Sequence, residues 1–483
     1  MIPEKRFLLY NAAIATGEGV RNGSVAVCGE RISDVWYPDG DGLLEFNGSM
    51  IPAERLCAAF SGAYPEAVIY DLSGKVMFAG GIDAHVHFRE PGMTDKADME
   101  TESLAAMLGG VTSFMDMPNT NPPTVSASRL QDKLEMAQGR CHANYGFHIG
   151  ATNTNIDMIS RLIGGLEEDG SRSLIGAGDF GGIKVFMGSS TGNMLVDSET
   201  ALAAIFRREE KEVLVHCEDE AIIRANLLKA EEESGGDIPF RMHEYIRSRK
   251  ACIRSSARAL EMAMEYGTRL HLLHISTAEE VEMVRAAKQI NKNITAETSI
   301  NYLWFSDTSY DTLGSKVKCN PSIKSENDRD VLRDALRNGL IDTIGTDHAP
   351  HLESEKDRPY LTAPSGIPSI QHSLPVLLTV AAQESIPLSR IASVFSEKAA
   401  SMFGIADRGK IKAGYYADIT VADPEKEFTV RREDLKYKCG WTPYEGACLK
   451  GCVEMVFVNG HETVRDGQPS TGTAFGKKLT FKN

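Results

Sequence analysis

The sequence predicts an α/β protein in which a (β/α)8 TIM-type barrel is joined to a small β-sandwich domain built from both chain termini. Two observations support this prediction. Between about residues 78 and 385, apolar strand-like runs alternate with segments of helical periodicity, and eight such runs are present. On both sides of this region the chain consists of short β-rich runs separated by turn residues. Eight β/α alternations over roughly 250–300 residues are typical of a closed barrel.

Both chain ends contain short strand-like runs separated by turn residues, and this shared pattern predicts the second domain. Residues 1–76 contain the strand-like runs RFLLYNAAIAT, GSVAVCGERISDVW and AVIYDLSG, which a polar, Gly-containing insertion interrupts at residues 38–66. Residues 391–483 contain YYADITVADP and VEMVFVNGHETV. We therefore assign both ends to the β-sandwich domain and residues 77–390 to the barrel.

The barrel prediction depends on eight candidate strands. The segments between them, such as SETALAAIFRREEK and TAEEVEMVRAAKQ, carry the periodicity of amphipathic helices. A doubly wound open sheet is the main alternative, but GGIDAHVHF does not fit the dinucleotide-binding fingerprint. The strands are expected near residues 77–83, 111–116, 142–150, 181–187, 212–217, 269–276, 294–299 and 341–347.

Composition limits the classes of function. Of the 483 residues, 42% are hydrophobic and 25% charged, which argues against disorder. Acidic residues outnumber basic ones by 67 to 52, and a net charge of −15 disfavours nucleic-acid and anionic-membrane binding. The nine cysteines form no CxxC pair, and no apolar run has the length of a signal peptide or a membrane span. We therefore expect a cytoplasmic protein, and its net charge does not exclude a small anionic substrate, because a few local cations or metals can override the global field.

Five metal-type side chains fall at the predicted carboxyl ends of four strands. His85 and His87 follow the first strand, His216 ends the fifth, His274 lies near the end of the sixth, and Asp347 closes the eighth. These strand ends form the active-site face of a (β/α)8 barrel. Any one of the five is ordinarily just a polar residue at a strand end. Their joint placement predicts a metal centre.

Lys184 lies inside the apolar strand GGIKVFM. An ammonium group buried beside a metal site is costly. A depressed pKa would relieve this cost, and so would reaction with carbon dioxide to give an anionic carbamate that bridges two metals. A third alternative is a lysine that extends to the barrel rim. Spacing alone does not choose among them.

The segment GGIDAHVHFREPGMTDKADMETESLAAMLGGVTSFMDMPNTNPPT closely resembles the dihydroorotases of the amidohydrolase superfamily. The resemblance continues through IKVFMGSSTG, VLVHCED, LHLLHIST, KCNPSI, GTDHAPH, KAGYYADITVADP and CGWTPYEG, and so covers nearly the whole chain apart from the insertion. It implies a zinc-dependent barrel enzyme that reversibly cyclises N-carbamoyl-L-aspartate to L-dihydroorotate in pyrimidine (UMP) biosynthesis. It also implies a homo-oligomer, with aspartate transcarbamoylase as a possible partner.

The resemblance implies roles for individual residues. His85, His87 and Asp347 would hold one zinc ion, and His216 and His274 the other. A carboxylated Lys184 and a hydroxide would bridge the two ions, although some dihydroorotases have an aspartate in the lysine's place. Asp347 would also be the general base and acid. The residues that match substrate contacts are Arg89, Asn119, Asn320, His351, Ser365 and Gly366, the last two standing where relatives more often carry Phe-Gly.

Three other functions remain open. Allantoinases and hydantoinases (dihydropyrimidinases) share the barrel and the metals, but allantoinases typically carry Asn at the position of Arg89, and hydantoinases lack this arginine. A non-catalytic scaffold homologue would have lost metal ligands, whereas all six are present here. Arg89 favours a dihydroorotase, because its planar fork matches a carboxylate.

Overall fold

Strands and helices alternate through the middle of the chain, and strands dominate its two ends. We describe a computed structural model, which covers residues 5–166, 170–188 and 194–482. Residues 189–192 of the IKVFMGSSTG motif lie outside the described residues. The strands are β1 Arg6–Thr16, β2 Gly19–Cys28, β3 Arg31–Trp36, β4 Leu43–Phe46, β5 Ser49–Pro52, β6 Val68–Asp71, β7 Val76–Ala79, β8 Gly81–Val86, β9 Val111–Asp116, β10 Asn144–Phe147, β11 Ile149–Gly150, β12 Gly182–Phe186, β13 Glu212–His216, β14 Leu270–Leu272, β15 Thr295–Ser299, β16 Thr343–Gly345, β17 Ile419–Thr429, β18 Cys448–Val458, β19 His461–Arg465 and β20 Gln468–Pro469.

Helices follow most barrel strands, and several begin with side-chain caps. Thr277 and Ser325 each form a reciprocal capping box, with Glu280 and Asp328 respectively, and so satisfy the free N–H groups of the first turn. The helices are α1 Leu56–Ala63, α2 Met99–Leu108, α3 Ala127–Ala137, α4 Ile156–Ile163, α5 Glu199–Phe206, α6 Glu220–Ser234, α7 His243–Ile246, α8 Arg249–Tyr266, α9 Ala278–Ile290, α10 Ile300–Trp304, α11 Ser309–Leu313, α12 Glu326–Arg337, α13 Glu353–Lys356, α14 Ser373–Glu384, α15 Leu388–Ala392 and α16 Lys398–Met402.

Strands β8 to β16 form the predicted parallel barrel. The chain pairs in order from β8 through β9 to β10, and from β11 through β12, β13, β14 and β15 to β16. A bridge between Val86 and His348 closes the ring. The third strand is interrupted at His148, between β10 and β11. Each of the eight predicted strands therefore contains residues of the barrel wall, although the first does so only in its second half.

The predicted first barrel strand is two strands that belong to different sheets. β7 pairs with β17 in the terminal sheet, whereas β8 pairs with β9 in the barrel. Gly80 separates them, and a Cβ atom there would lie only 2.1 Å from Thr112 Oγ1. A glycine is required at this close approach, and it marks where the chain passes from one sheet to the other.

The two chain ends meet in a single nine-stranded sheet. Its order is β20-β19-β18-β17-β7-β1-β2-β3, with β6 beside β1, so N-terminal and C-terminal strands adjoin at β7 and β17. One face of the sheet buries an apolar cluster that includes Phe7, Val25, Met77, Ile419 and Phe457. The sheet domain thus needs both ends of the chain.

The insertion at residues 38–66 is a folded layer on the other face of this sheet. It contains the antiparallel pair β4–β5 and helix α1. Leu44 and Phe60 of the insertion pack against Leu8 and Ala26, which the sheet presents on that side. Because strand residues alternate between faces, one sheet supplies both apolar layers.

The last residues leave the terminal sheet and pack on the barrel. Leu479 donates a backbone hydrogen bond to Tyr145 O, and Phe481 donates one to Gly178 O. Both side chains join an apolar cluster with Ile82, Phe403 and other buried residues. Residues 391–483, expected to supply a helix and strands that complete the β-domain, thus end in a tail whose alternating Leu479 and Phe481 bury apolar surface in the barrel. No helix among the described ranges is long and apolar enough to cross a membrane.

Candidate metal centre

A polar pocket lies where the barrel strands β8, β12, β13, β14 and β16 end, together with the loops at this face of the barrel. All six side chains expected to hold metal line it. Three of the expected substrate contacts line it as well. The lining residues are His85, His87, Lys184, Phe186, His216, His274, Asn320, Asp347, Ala349, Ser365 and Gly366.

His85, His87 and Asp347 present three electron-pair donors to one another. His85 Nδ1 donates to Glu297 Oε1 (2.7 Å), and His87 Nδ1 donates to Asn119 Oδ1 (2.8 Å). The Nε2 lone pairs of the two imidazoles therefore face Asp347 Oδ1, at 3.4 Å and 3.1 Å. Facing lone pairs repel unless a cation lies among them. The three ligand atoms lie within 4.8 Å of one another, so this donor set fits a metal ion.

His216 and His274 form a second pair of donors. His216 Nε2 donates to Glu218 Oε2 (3.1 Å), which leaves its Nδ1 lone pair facing His274 Nε2 at 2.9 Å. Burial lowers the pKa of both histidines, so the imidazoles are neutral, as ligands must be. The buried His274 Nδ1 has no hydrogen-bond partner in the described structure. The pair is adjacent to the first group, because the rings of His85 and His274 lie 5.2 Å apart.

Lys184 lies between these groups on β12 and is 1% exposed. Burial lowers the pKa of its ammonium group to about 8, although Asp347 opposes the shift. Its Nζ lies 4.7 Å from the ring centroid of Phe186. The structure therefore excludes the alternative in which Lys184 extends to solvent at the rim, and it leaves the depressed pKa and carboxylation.

Three residues of the site have left-handed backbone conformations. Arg89, His274 and Asp347 have φ angles of 65°, 37° and 47°. Non-glycine residues rarely adopt positive φ, and each such residue costs free energy that the surrounding structure must supply. Such conformations concentrate at functional sites, where they aim a side chain that regular strand geometry would direct elsewhere.

Arg89 is a buried cation beside the pocket. Its Nε donates to Pro350 O (3.0 Å), and its Nη2 lies 3.0 Å from His351 Nε2. Among the described residues, no carboxylate forms an ion pair with its guanidinium, which is 2% exposed as a residue. Burial lowers its pKa to about 10, despite the more distant charges of Asp347 and Asp116. The site thus holds a cationic fork without an anion.

Asn320, Ser365 and Gly366 also line the pocket. The buried Asn320 Oδ1 has no hydrogen-bond partner in the part of the chain described. Gly366 has a φ of 148°, and a Cβ there would lie 2.3 Å from Ala349 O. Only glycine fits this approach, which explains why Gly366 stands at a point where backbone lines the pocket. Lys356 Nζ fixes this loop by donating to Pro364 O (2.8 Å) and Gly366 O (3.1 Å).

Sequence reasoning did not identify several supporting residues. Glu297 and Glu218 orient His85 and His216, and Arg247 is an ion-pair partner of Glu218. Asn119, expected as a substrate contact, accepts a hydrogen bond from His87 Nδ1. Glu297 had a usable signal, because it is a carboxylate in the middle of the strand-like run ITAETS. Glu218, two residues after His216, had none.

Comparison with known proteins agrees with this geometry. A family model described as "Amidohydrolase family" matches residues 76–463. The chain belongs to the amidohydrolase family. Membership supports a hydrolase that acts on cyclic amides.

Individual relatives represent more than one activity. The chain is 34% identical to a dihydroorotase of Methanosarcina mazei over 83% of this chain and 88% of that protein. It is 30% identical to an allantoinase of Streptomyces avermitilis over 95% and 96%. Among solved structures, an L-hydantoinase from Arthrobacter aurescens superimposes with a TM-score of 0.86 at 24% identity, covering 99% of this chain and all of that one. At this identity the last match shows the fold alone.

Proposed function

We propose that the protein is a dihydroorotase, which interconverts N-carbamoyl-L-aspartate and L-dihydroorotate in pyrimidine biosynthesis. The observation that carries the proposal is the buried guanidinium of Arg89, which forms no ion pair with any residue that the structure describes. A buried cation without an anion is costly, and a substrate carboxylate would offset that cost. Dihydroorotate has such a carboxylate, whereas allantoin, hydantoin and dihydrouracil do not.

Allantoinase is the second candidate function. The observation in its favour is coverage, because the Streptomyces avermitilis allantoinase aligns with 95% of this chain and the Methanosarcina mazei dihydroorotase with 83%. Sequence identity is higher for the dihydroorotase, and Arg89 has no carboxylate to bind in allantoin. We therefore rank allantoinase second.

We propose that the pocket holds two zinc ions. His85, His87 and Asp347 would bind one, His216 and His274 the other, and a carboxylated Lys184 would contact both. Zinc, when bound, supplies a Lewis acid and a water molecule with a pKa near neutral. Carboxylation needs the neutral amine, whose lone pair attacks carbon dioxide. The ammonium group first loses one proton to give this amine. As the N–C bond forms, one C=O π bond of carbon dioxide breaks and a second proton leaves the nitrogen, so a buried cation becomes an anion.

Asp347 is the residue placed to move the proton. During ring opening, its carboxylate accepts a proton from the attacking water and passes it to the ring nitrogen as the amide C–N bond breaks. The second water proton is lost when the new carboxyl group ionises. Cyclisation runs the same transfer backwards and begins with Asp347 protonated. Arg89 and Asn320 would bind the substrate carboxylate and ring beside this centre.

The proposal is tested by replacing Arg89 with methionine. Hydrogen bonds to charged groups are worth about 1.5–3 kcal/mol, so kcat/KM for dihydroorotate should fall roughly ten- to hundredfold. Zinc content and any trace turnover of dihydrouracil should not change. Arg140→Met is the matched control, because Arg140 pairs with the neighbouring Glu90 and does not line the pocket. Unchanged dihydroorotate kinetics in Arg89→Met would remove the main support for a dihydroorotase.

A further inference from the structure

The imidazole of His351 has two cations and one carbonyl group within hydrogen-bonding distance, and the Glu355 carboxylate lies farther away, 3.7 Å from its Nδ1. Lys96 Nζ lies 3.2 Å from its Nδ1, and Arg89 Nη2 lies 3.0 Å from its Nε2. The carbonyl oxygen of Ser365 lies 3.1 Å from the same Nε2. His351 is thus the link between Lys96, which does not line the pocket, and the cationic fork.

His351 is neutral in this setting. Burial lowers its pKa well below the usual range, and the positive charges of Arg89, Lys356 and Lys96 lower it further. A neutral imidazole has one N–H donor and one acceptor nitrogen, so its single hydrogen lies on either Nδ1 or Nε2. The three neighbours decide between these two tautomers.

The neighbours are satisfied unequally by the two tautomers. Ammonium and guanidinium groups only donate, whereas a carbonyl oxygen only accepts. With hydrogen on Nε2, Nδ1 accepts from Lys96 and Nε2–H donates to Ser365 O, so two contacts are hydrogen bonds. With hydrogen on Nδ1, only the contact with Arg89 is one, and Nδ1–H faces the Lys96 ammonium. The Nε2–H tautomer is therefore favoured, and Lys96 is the group that selects it.

We propose that Lys96 is a positioning residue for recognition of the substrate carboxylate, acting through the tautomer of His351. With hydrogen on Nε2, His351 cannot accept from Arg89. Its Nε2–H and the Arg89 Nη2 group then present hydrogens side by side, and a carboxylate is the ligand that accepts from both. The inference rests on the proposed function, because it names how that carboxylate is read.

Without Lys96 the arrangement changes in a defined way. The hydrogen moves to Nδ1, and Nε2 accepts from Arg89. The Arg89 Nη2 group is then already hydrogen-bonded to His351 before the substrate binds. Glu355, 2.8 Å from Lys96 Nζ, keeps the ammonium in place in the native chain. Lys96 therefore influences substrate affinity from outside the pocket.

The test compares Lys96→Met with Lys96→Arg in the full-length, zinc-loaded protein. Lys96→Met should raise KM for dihydroorotate about tenfold or more while kcat changes little. Lys96→Arg keeps a donor-only cation at Nδ1 and should restore most of the affinity. Glu355→Gln is the control, because the glutamine amide oxygen still accepts from the Lys96 ammonium and holds it against His351, while the negative charge is removed. A purely structural role would not produce this separation of KM from kcat or this rescue.

The tautomer itself is measured without substrate. Two-bond ¹H–¹⁵N correlation spectra of histidine-labelled protein, with the His351 signals assigned by their loss in His351→Gln, report which nitrogen carries the hydrogen. We expect Nε2–H in the wild type and in Lys96→Arg, and Nδ1–H in Lys96→Met. An Nδ1–H wild type, or an unchanged tautomer in Lys96→Met whatever happens to KM, would overturn the inference. Absence of dihydroorotate turnover would instead refute the proposed function, which the spectra do not depend on.

Discussion

We expect Lys184 of the zinc-loaded protein to be carboxylated, and its buried position sets how readily this occurs. At a pKa of about 8, about one quarter of the amine is neutral at pH 7.5. At the ordinary lysine value of about 10.5, only about one in a thousand would be neutral. Burial therefore enriches the form that reacts with carbon dioxide by roughly two hundredfold. Because the neutral fraction grows with pH up to the pKa, carboxylation of metal-free protein should be faster at pH 8 than at pH 6.

The modification is observed directly by ¹³C NMR after incubation with ¹³C-labelled bicarbonate. The wild type should show one carbamate signal, and Lys184→Ala should lack it, bind fewer than two zinc ions and lose most of its activity. Lys211→Ala is the matched control. Lys211 is also buried with a pKa lowered to about 8, but its Nζ donates to Phe180 O (3.3 Å) away from the pocket.

Carboxylation of Lys184 would be contradicted if the zinc-loaded wild-type protein showed no carbamate signal, or if the signal survived in Lys184→Ala. Short carboxylic acids provide a second test, because they fit the space that alanine leaves in Lys184→Ala and supply the missing anion. Partial return of activity with acetate or propionate in Lys184→Ala, and no effect on the wild type, would agree with a bridging anion.

Three further predictions follow from single contacts. The pKa of Asp347 is lowered, because the attraction of its carboxylate to His85 and His87 when these imidazoles are protonated outweighs the opposing effect of burial. Ring opening should therefore slow as pH falls towards this pKa and cyclisation as pH rises above it. Asp347→Asn should cut both rates by at least about a hundredfold, and near-normal rates in this variant would remove Asp347 from the mechanism. Glu297→Gln weakens the acceptor of His85 Nδ1–H, so zinc affinity by competition with a chelator should drop about ten- to a hundredfold; equal affinity would mean that His85 is oriented by other groups. Phe60→Ala leaves a cavity between the insertion and the terminal sheet. It should lower the free energy of unfolding, measured with urea, by about 3–5 kcal/mol, whereas dihydroorotate kinetics should stay unchanged.

The sequence predicts the barrel and its metal-type residues because both depend on local pattern. Apolar runs that alternate with amphipathic segments specify parallel strands, and the ends of those strands must meet on one face. His85, His216 and Asp347 could therefore be placed together from their positions relative to runs of apolar residues. Glycines such as Gly80 and Gly366 are also visible in the sequence, but the close approaches that require them are not.

Long-range contacts explain what the sequence does not predict. The link from Lys96 to His351 joins residues 255 positions apart, and no periodicity connects them. Leu479 and Phe481 alternate with polar residues as in an ordinary strand. This pattern predicts that their side chains are buried, but it does not predict that they pack against the barrel. The insertion likewise has a polar sequence overall, although its Leu44 and Phe60 side chains pack against one face of the sheet.

The account is tested most directly by offering the zinc-loaded wild-type protein dihydroorotate, carbamoyl aspartate, allantoin and hydantoin side by side. We expect turnover of dihydroorotate and carbamoyl aspartate, in opposite directions, with kcat/KM far above that for the two rings without a carboxylate. Robust turnover of allantoin or hydantoin, with none of dihydroorotate, would contradict it.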